Sequence, residues 1–435
     1  MKTFRPLLLL ALLLTGSAAA SAQTGRLYRS EGIPFDNRHH AVVGGNPANS
    51  SQYIRADFTP EAVDGATIWL GQTFELPYVW SEGRTALHLE SVGQAYSLFL
   101  NGTHIATSTD GFTPVEYDLT EAVKQGENHL RIALRADGRD DLQQGFSLTG
   151  PRFEGSYLVN RQRRTIADYR IALVPDSLRR FGVLELDLII RNDYNYDETV
   201  NPAFDIYSPE GKLMEYSDHP VVLAGHSQDT IRLRPLIYHT NDHKWGDGKG
   251  PLYSVMLFTK RDGKMWEYLP LKVGFSDMEY RDGQWYRFGA PYTLREAPCD
   301  AAADRTATKK QMESLRKSGI NTLRPSRPQP AWYYDLADEL GLCVIDCAAI
   351  SAPDRRDDRR IGGTPANDPA LADEFVERVK AMYYRSRNHT CIIGFSLGNP
   401  SGNGYAMYKA YEWLKSAEPV RPVFYDDARG EWNSD

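Results

Sequence analysis

The stretch Leu342-Cys343-Val344-Ile345-Asp346-Cys347-Ala348-Ala349-Ile350 decides the fold. It is short, nearly all apolar, and carries one charge in its middle. No alternation runs through it, so it reads as a strand buried on both faces, as in parallel sheets covered by helices. A helical pattern, Ala370–Arg385, follows it. The pairing recurs on both sides: Tyr292–Arg295 before Thr306–Ser318, Ile320–Arg324 before Trp332–Leu340, Cys391–Leu397 before Gly404–Ser416, and Val420–Tyr425 last. Such repetition predicts β/α units on a parallel sheet. Five strands and four helices occupy about 150 residues, where a closed eight-stranded barrel takes roughly 250. Residues 279–435 are therefore expected to form a partial (β/α) TIM-type barrel, with an open edge at Val420–Tyr425 that another chain or the preceding domains would cover.

Upstream the period changes to two. Ala66–Phe74, Thr85–Glu90, Ala95–Leu100, Glu116–Leu119 and Asn128–Ala133 are short alternating runs, broken by turn signals such as Asn101-Gly102. They predict a jelly-roll β-sandwich over residues 23–162. Phe181–Ile190, Ala203–Tyr207, Thr230–Leu236, Leu252–Phe258 and Trp266–Val273 predict an immunoglobulin-like β-sandwich over residues 163–278. Residues 1–22 read as an export signal: Lys2 and Arg5, the apolar run Leu7–Leu14, then Ala20-Ser21-Ala22. A periplasmic or extracellular protein follows as an expectation. The apolar run is too short to span a bilayer, and no later stretch looks transmembrane.

The 435 residues carry 50 Lys and Arg against 57 Asp and Glu, a formal charge of −7, so a nucleic-acid partner is not expected. Eight Trp, 25 Tyr and 16 Phe suit sugar faces and sandwich cores equally. Cys299, Cys343, Cys347 and Cys391 lack zinc-site spacing and read as buried thiols. Arg355–Arg360 reads as a solvated loop. His39, His40, His88 and His389 lie near no Gly-x-Ser-x-Gly elbow, and Gly362-Gly363 opens no phosphate loop.

Several longer motifs carry a resemblance. Trp69–Pro77 (WLGQTFELP), Leu100-Asn101-Gly102, Thr113–Thr120 (TPVEYDLT) and Gly126-Glu127-Asn128-His129-Leu130 occur in the first β zone. Val273-Gly274-Phe275, Asp282-Gly283 and Leu294-Arg295 mark a junction. Asn321-Thr322-Leu323-Arg324, Tyr334–Asp346 (YDLADELGLCVID), Arg387–Ile393 (RNHTCII) and Ser396-Leu397-Gly398-Asn399 follow in the β/α zone. In order and spacing they resemble glycoside hydrolase family 2, the family of β-galactosidases and β-glucuronidases. That resemblance implies a sugar-binding jelly roll, an immunoglobulin-like domain and a catalytic barrel.

Retaining glycosidases use an acid/base and a nucleophile, two carboxylates about 5–5.5 Å apart. The resemblance places the acid/base at the Glu of G-N-E-S-G after the fourth barrel strand. Here the segment reads Gly398-Asn399-Pro400-Ser401-Gly402, and proline has no proton to give. The family's D-E-A-N-I-E reads Asp346-Cys347-Ala348-Ala349-Ile350-Ser351, and its S-H-Y-P reads Ser326-Arg327-Pro328-Gln329-Pro330. The family nucleophile lies on a later strand, past Asp435. No catalytic residue is assigned; Asp346 and Glu296 are the nearest carboxylates at strand ends and read as structural. Asn399, Arg324 and Asp346 are the candidate substrate-binding residues for a carbohydrate. The Asp loop that holds metal in galactosidase relatives has no counterpart around Gln143–Tyr157, so neither metal nor cofactor is expected. The leading expectation is an exported family member without hydrolysis that binds carbohydrate or assembles with a partner or a second copy. The alternatives are an active β-galactosidase-type enzyme completed by another chain, and an unstable truncated product.

Overall fold

The computed structural model describes residues 26–42, 46–135, 141–146 and 153–435. The expected export signal, Met1–Ala22, lies outside the described residues. Two five-stranded antiparallel sheets make the jelly roll. One runs Arg26–Leu27, Val115–Asp118, Arg84–Leu89, Tyr157–Arg161, Tyr53–Arg55; the other runs Thr59–Asp64, Thr67–Leu76, Gly126–Arg135, Tyr96–Leu100, Thr103–Ser108. Their inner faces bury Trp80, Leu87, Leu98, Tyr117 and Ile132. Asn101 and Gly102 both take positive φ (52° and 81°) between paired strands, the tight hairpin expected of Asn-Gly.

The immunoglobulin-like sandwich packs Arg164–Pro175, Gly182–Asn192 and Ser227–Leu233 against Leu213–Asp218, Pro202–Tyr207, Tyr253–Arg261 and Lys264–Val273. Gly182–Asn192 alternates buried and half-buried residues without exception, as a strand with one core face must. The twelve-residue strand Arg164–Pro175 and the edge strand Leu213–Asp218 are additions to the sequence reading.

The barrel part holds five parallel strands in chain order: β1 Glu296–Pro298, β2 Thr322–Arg324, β3 Cys343–Cys347, β4 Ile392–Ser396 and β5 Val423–Phe424. Between them lie α1 Arg305–Lys317, α2 Ala331–Leu340, α3 Ala372–Ser386 and α4 Tyr405–Ala417. One expected strand is corrected. Residues 290–292 pair antiparallel with Arg287–Trp285 in a small sheet ahead of the barrel, so β1 begins only at Glu296, where pairing with Thr322 starts. The edge expectation is also corrected. Val423 and Tyr425 turn their free backbone away from β4, and the chain's own residues cover them. Asp435 N–H donates to Val423 O (2.9 Å), Val423 N–H to Asp435 Oδ2 (2.8 Å) and Tyr425 N–H to Ser434 Oγ (3.1 Å).

The motif Arg387-Asn388-His389-Thr390 locks the barrel to the sandwich before it. Arg387 Nη2 donates to Asp168 Oδ2 (2.6 Å) and Tyr169 O (3.0 Å), and Asn388 Oδ1 accepts Ile171 N–H (3.0 Å). Thr390 Oγ1 accepts Gly274 N–H (2.7 Å). His389 Nδ1 lies 2.9 Å from Asp338 Oδ2, and the other oxygen of Asp338 accepts Cys391 N–H (2.6 Å).

Candidate functional site

The C-terminal ends of parallel barrel strands gather loops around one basin, where this architecture places its reactive groups. Asp300, just past β1, organises the loop after β2. It accepts Ser326 N–H (2.7 Å), Ser326 O–H (2.6 Å) and Gln329 Nε2–H (3.1 Å), and lies 3.6 Å from Arg327 Nη1. Asn399, past β4, spans three loops. Its Nδ2 donates to Ser326 O (2.7 Å) and Ile350 O (3.3 Å) and approaches Cys347 Sγ (3.9 Å). Arg324, ending β2, donates to Glu296 Oε2 on β1 (3.2 Å), and about a third of each of these side chains stays exposed. The guanidinium of Arg324 and the carboxylate of Asp300 also fall within electrostatic reach of Cys347.

Asp346 does not join this set. On β3 the side chains alternate, so Cys347 faces the basin and Asp346 faces the helices. It is fully buried, accepting Tyr334 O–H from α2 (2.9 Å) and Cys347 N–H (3.0 Å). A saccharide in the basin cannot touch it, which corrects its candidacy as a binding residue. Burial raises its pKa to about 6, against the opposing pull of the Ser386 and Tyr334 hydroxyls and the Cys347 N–H. Burial likewise pushes the Cys347 thiol up to about 12 despite Ser396, so it stays protonated and is no nucleophile at neutral pH. All four cysteines are buried and unbridged.

The turn Gly398–Gly404 is held from beneath. Asp427 Oδ2 accepts the N–H groups of both Ser401 and Gly402 (2.9 Å each), while its Oδ1 takes Arg356 Nη2–H (2.5 Å). Gly402 has φ +74°, and a Cβ there would meet Arg356 O at 2.4 Å, so glycine alone fits. Tyr425 O–H donates to Gly402 O (2.5 Å). Pro400 is exposed at the crest of this rigid turn, its carbonyl accepting Ala352 N–H (3.3 Å).

The jelly roll contributes a rim over the basin. Gln144 N–H donates to Ser351 O (2.9 Å) and Ser351 N–H to Leu142 O (2.6 Å), which brings Phe112 and Phe146 to the Arg327 guanidinium at 5.5 and 5.7 Å. The sequence reading passed over Asp300 and these two rings. Asp300 carried a usable signal, a carboxylate directly after a barrel strand; the rings carried none, since they come from another domain. Within the segment considered for a metal loop, residues 147–152 lie outside the described residues. Elsewhere Glu31, His88 and Glu90 bring ligand atoms within 4.8 Å of one another, but Arg385 pairs with both carboxylates and supplies the countercharge a cation would bring. A cavity of about 1500 Å³ opens beside the loops after β1 and β2, where Ala301, Arg327, Gln329 and Phe112 line it. It runs between the helix flank (Trp332, Asp335, His389) and the two sandwiches (Tyr157, Tyr207, Met256).

Residues 48–140 match the family model described as "Glycosyl hydrolases family 2, sugar binding domain", and residues 299–434 the one described as "Glycosyl hydrolases family 2, TIM barrel domain". A β-galactosidase of Aeromonas hydrophila is 30% identical over 372 residues, covering 81% of this chain and 35% of that protein. One from Enterobacter cloacae is 28% identical over 387 residues, covering 86% and 37%. The chain thus spans little more than a third of the length of these curated relatives. Among solved structures, a β-glucuronidase of Bacteroides uniformis superimposes with a TM-score of 0.68 at 16% identity, over 83% of this chain and 46% of that one. A family 2 member from Bacteroides cellulosilyticus gives 0.67 at 18%, over 83% and 49%. Two matching domain models in the expected order, on a jelly roll, a sandwich and parallel barrel strands, place the chain in glycoside hydrolase family 2.

Proposed function

We propose that this chain is an exported, β-galactosidase-like family 2 protein that engages carbohydrate without hydrolysing it. One observation carries the reading: the exposed crest after β4, where the family resemblance expects the acid/base Glu, is Pro400, which has no titratable group. General acid help contributes about 10²–10⁴-fold to such reactions, and a leaving-group oxygen without it departs poorly. The surroundings support the reading. The turn is fixed by Asp427, and the two further positions where the resemblance expects carboxylates carry the buried side chains of Cys347 and Ser351. Asn399, Arg324 and Asp300 still offer amide, guanidinium and carboxylate groups around the basin, a set able to bind hydroxyls. Export rests on Met1–Ala22 and is tested by sequencing the N-terminus of the secreted product.

The decisive assay incubates the purified chain with lactose and with methyl β-galactoside, β-glucuronide and β-mannoside, whose leaving oxygens need the proton that position 400 cannot give. No release above the uncatalysed rate is expected. Turnover at rates ordinary for glycosidases, by the chain alone, overturns the proposal.

A further inference from the structure

The second sandwich keeps a short stretch of sheet edge open beside the barrel. One of its sheets runs Leu213–Asp218, Pro202–Tyr207, Tyr253–Arg261, Lys264–Val273, so the last strand is an edge. Antiparallel pairing turns both backbone groups of alternate residues to the same side. Tyr268 turns its pair outward and spends it on Phe35: Phe35 N–H donates to Tyr268 O (2.8 Å) and Tyr268 N–H to Phe35 O (2.9 Å). Pro270 and Lys272 turn theirs the same way. Pro270 stands opposite Met256, where a residue without an N–H costs the ladder nothing. Among the described residues, no hydrogen bond reaches the outward C=O of Pro270 or the outward N–H and C=O of Lys272. Past Val273 the backbone is engaged again, Gly274 N–H donating to Thr390 Oγ1 (2.7 Å).

The bare stretch forms one wall of the cavity of about 1500 Å³, and α2 stands across from it. Leu252, Leu271 and Trp332 give this end half-buried apolar ground. The helix side is mostly negative. Arg305 is shared between Asp335 (3.9 Å) and Glu339 (3.1 Å), and Asp338 is taken by His389. Asp335 keeps 53% of its side chain exposed, and the exposed Lys272 is the cation that the strand sets against it.

An open sheet edge facing a helix across a gap takes an extended peptide as an added strand. Backbone hydrogen bonds hold such a peptide, and the walls read its alternate side chains. The surplus of carboxylate on α2 selects lysine or arginine at every second position, and the apolar ground selects the residues between. We infer that this cleft docks an extended polypeptide segment of a partner protein, basic and apolar residues alternating, as a strand added to Lys264–Val273. The inference goes beyond the carbohydrate reading and does not depend on it.

The test is fluorescence anisotropy of the full chain with a dye-labelled hexapeptide of alternating valine and lysine, and with its valine–glutamate counterpart. The lysine peptide should bind saturably, and the glutamate peptide about tenfold more weakly. Lys272→Pro removes the outward N–H without touching the bonds to Tyr253–Arg261. It should weaken binding about tenfold, the scale of one backbone hydrogen bond. Lys272→Ala keeps that N–H and should bind at least as well as the wild type, whereas Asp335→Asn should bind severalfold more weakly. Should Lys272→Pro fail to fold, two N-methylated lysine peptides decide on the wild-type chain. Only alternate N–H groups of an added strand face its neighbour, so methyl groups on one alternate set should abolish binding and on the other leave it. The docking site is overturned by a lysine peptide that does not saturate, by a glutamate peptide that binds equally, by equal affinity of Lys272→Pro and Lys272→Ala, or by equal loss with both methyl sets. A concentration-dependent dimer that Lys272→Pro dissociates and the peptide does not displace overturns it too, and assigns the edge to a second copy.

Discussion

Replacing Arg385 by methionine should be the most damaging single change to the junction of the domains. The side chain leaves α3 with 1% of its surface exposed and pairs with Glu31 of the N-terminal segment and Glu90 of the jelly roll. It also donates from Nε and Nη2 to Gln329 O (3.2 and 3.1 Å). Methionine fills similar volume but leaves two carboxylates facing each other beside His88. Removing one partner of a buried ion pair costs about 3–5 kcal/mol. Glu31 keeps 27% of its surface, so water screens part of the loss and the lower end, about 3 kcal/mol, is expected. The pH dependence gives a second reading. Burial alone would raise the pKa of Glu90, but the Arg385 charge and the His88 hydrogen bond outweigh it and hold the carboxyl well below its usual range. A lowered folded pKa gives stability that is present above the unfolded value, near 4.3, and lost as pH falls through the folded one. In the variant that lowering disappears, so acidification from pH 5 to 3 should cost it less than it costs the wild type. Urea midpoints at pH 7, 5 and 3 measure this. A loss below about 1 kcal/mol at pH 7, with an unchanged pH slope, would refute the reasoning.

Other consequences follow from single contacts. Asp346 has a folded pKa of about 6, above its unfolded value, so wild-type stability should fall as pH rises from about 4 through 6. Asp346→Asn should remove that fall and gain up to ~3 kcal/mol above pH 7 in denaturant melts; an unchanged pH profile would count against it. Gly402→Ala forces a Cβ against Arg356 O at positive φ and should cost about 1–3 kcal/mol by the same melts. Asp435→Ala removes the side chain that caps Val423 N–H, and hydrogen exchange at Val423 should speed up while exchange at Phe395, on the paired side, stays slow.

Much of the architecture was readable because its causes are local. Alternation in Gly182–Asn192, the Asn101-Gly102 turn and the strand–helix rhythm after residue 296 each arise within a few residues. The boundary of β1 was not, because the hairpin Trp285–Tyr292 competes for the same residues and only pairing partners decide between them. The basin was half readable. Asn399 and Arg324 sit at strand ends as their motifs imply, yet both are engaged with loops and neighbours. Asp346 misled because β3 is buried on both faces, and a strand without alternation does not reveal which side chains face the helices.

The chain's own order of residues thus determined the domain series, the family and the proline at position 400, since each is written in local pattern or in identity at one position. Tertiary structure alone decided that Asp346 turns outward, that Phe112 and Phe146 reach Arg327, and that Trp69, Phe99 and Arg131 share one half-buried outer face. Those are long-range juxtapositions, set by sheet register and domain docking between segments far apart in the chain.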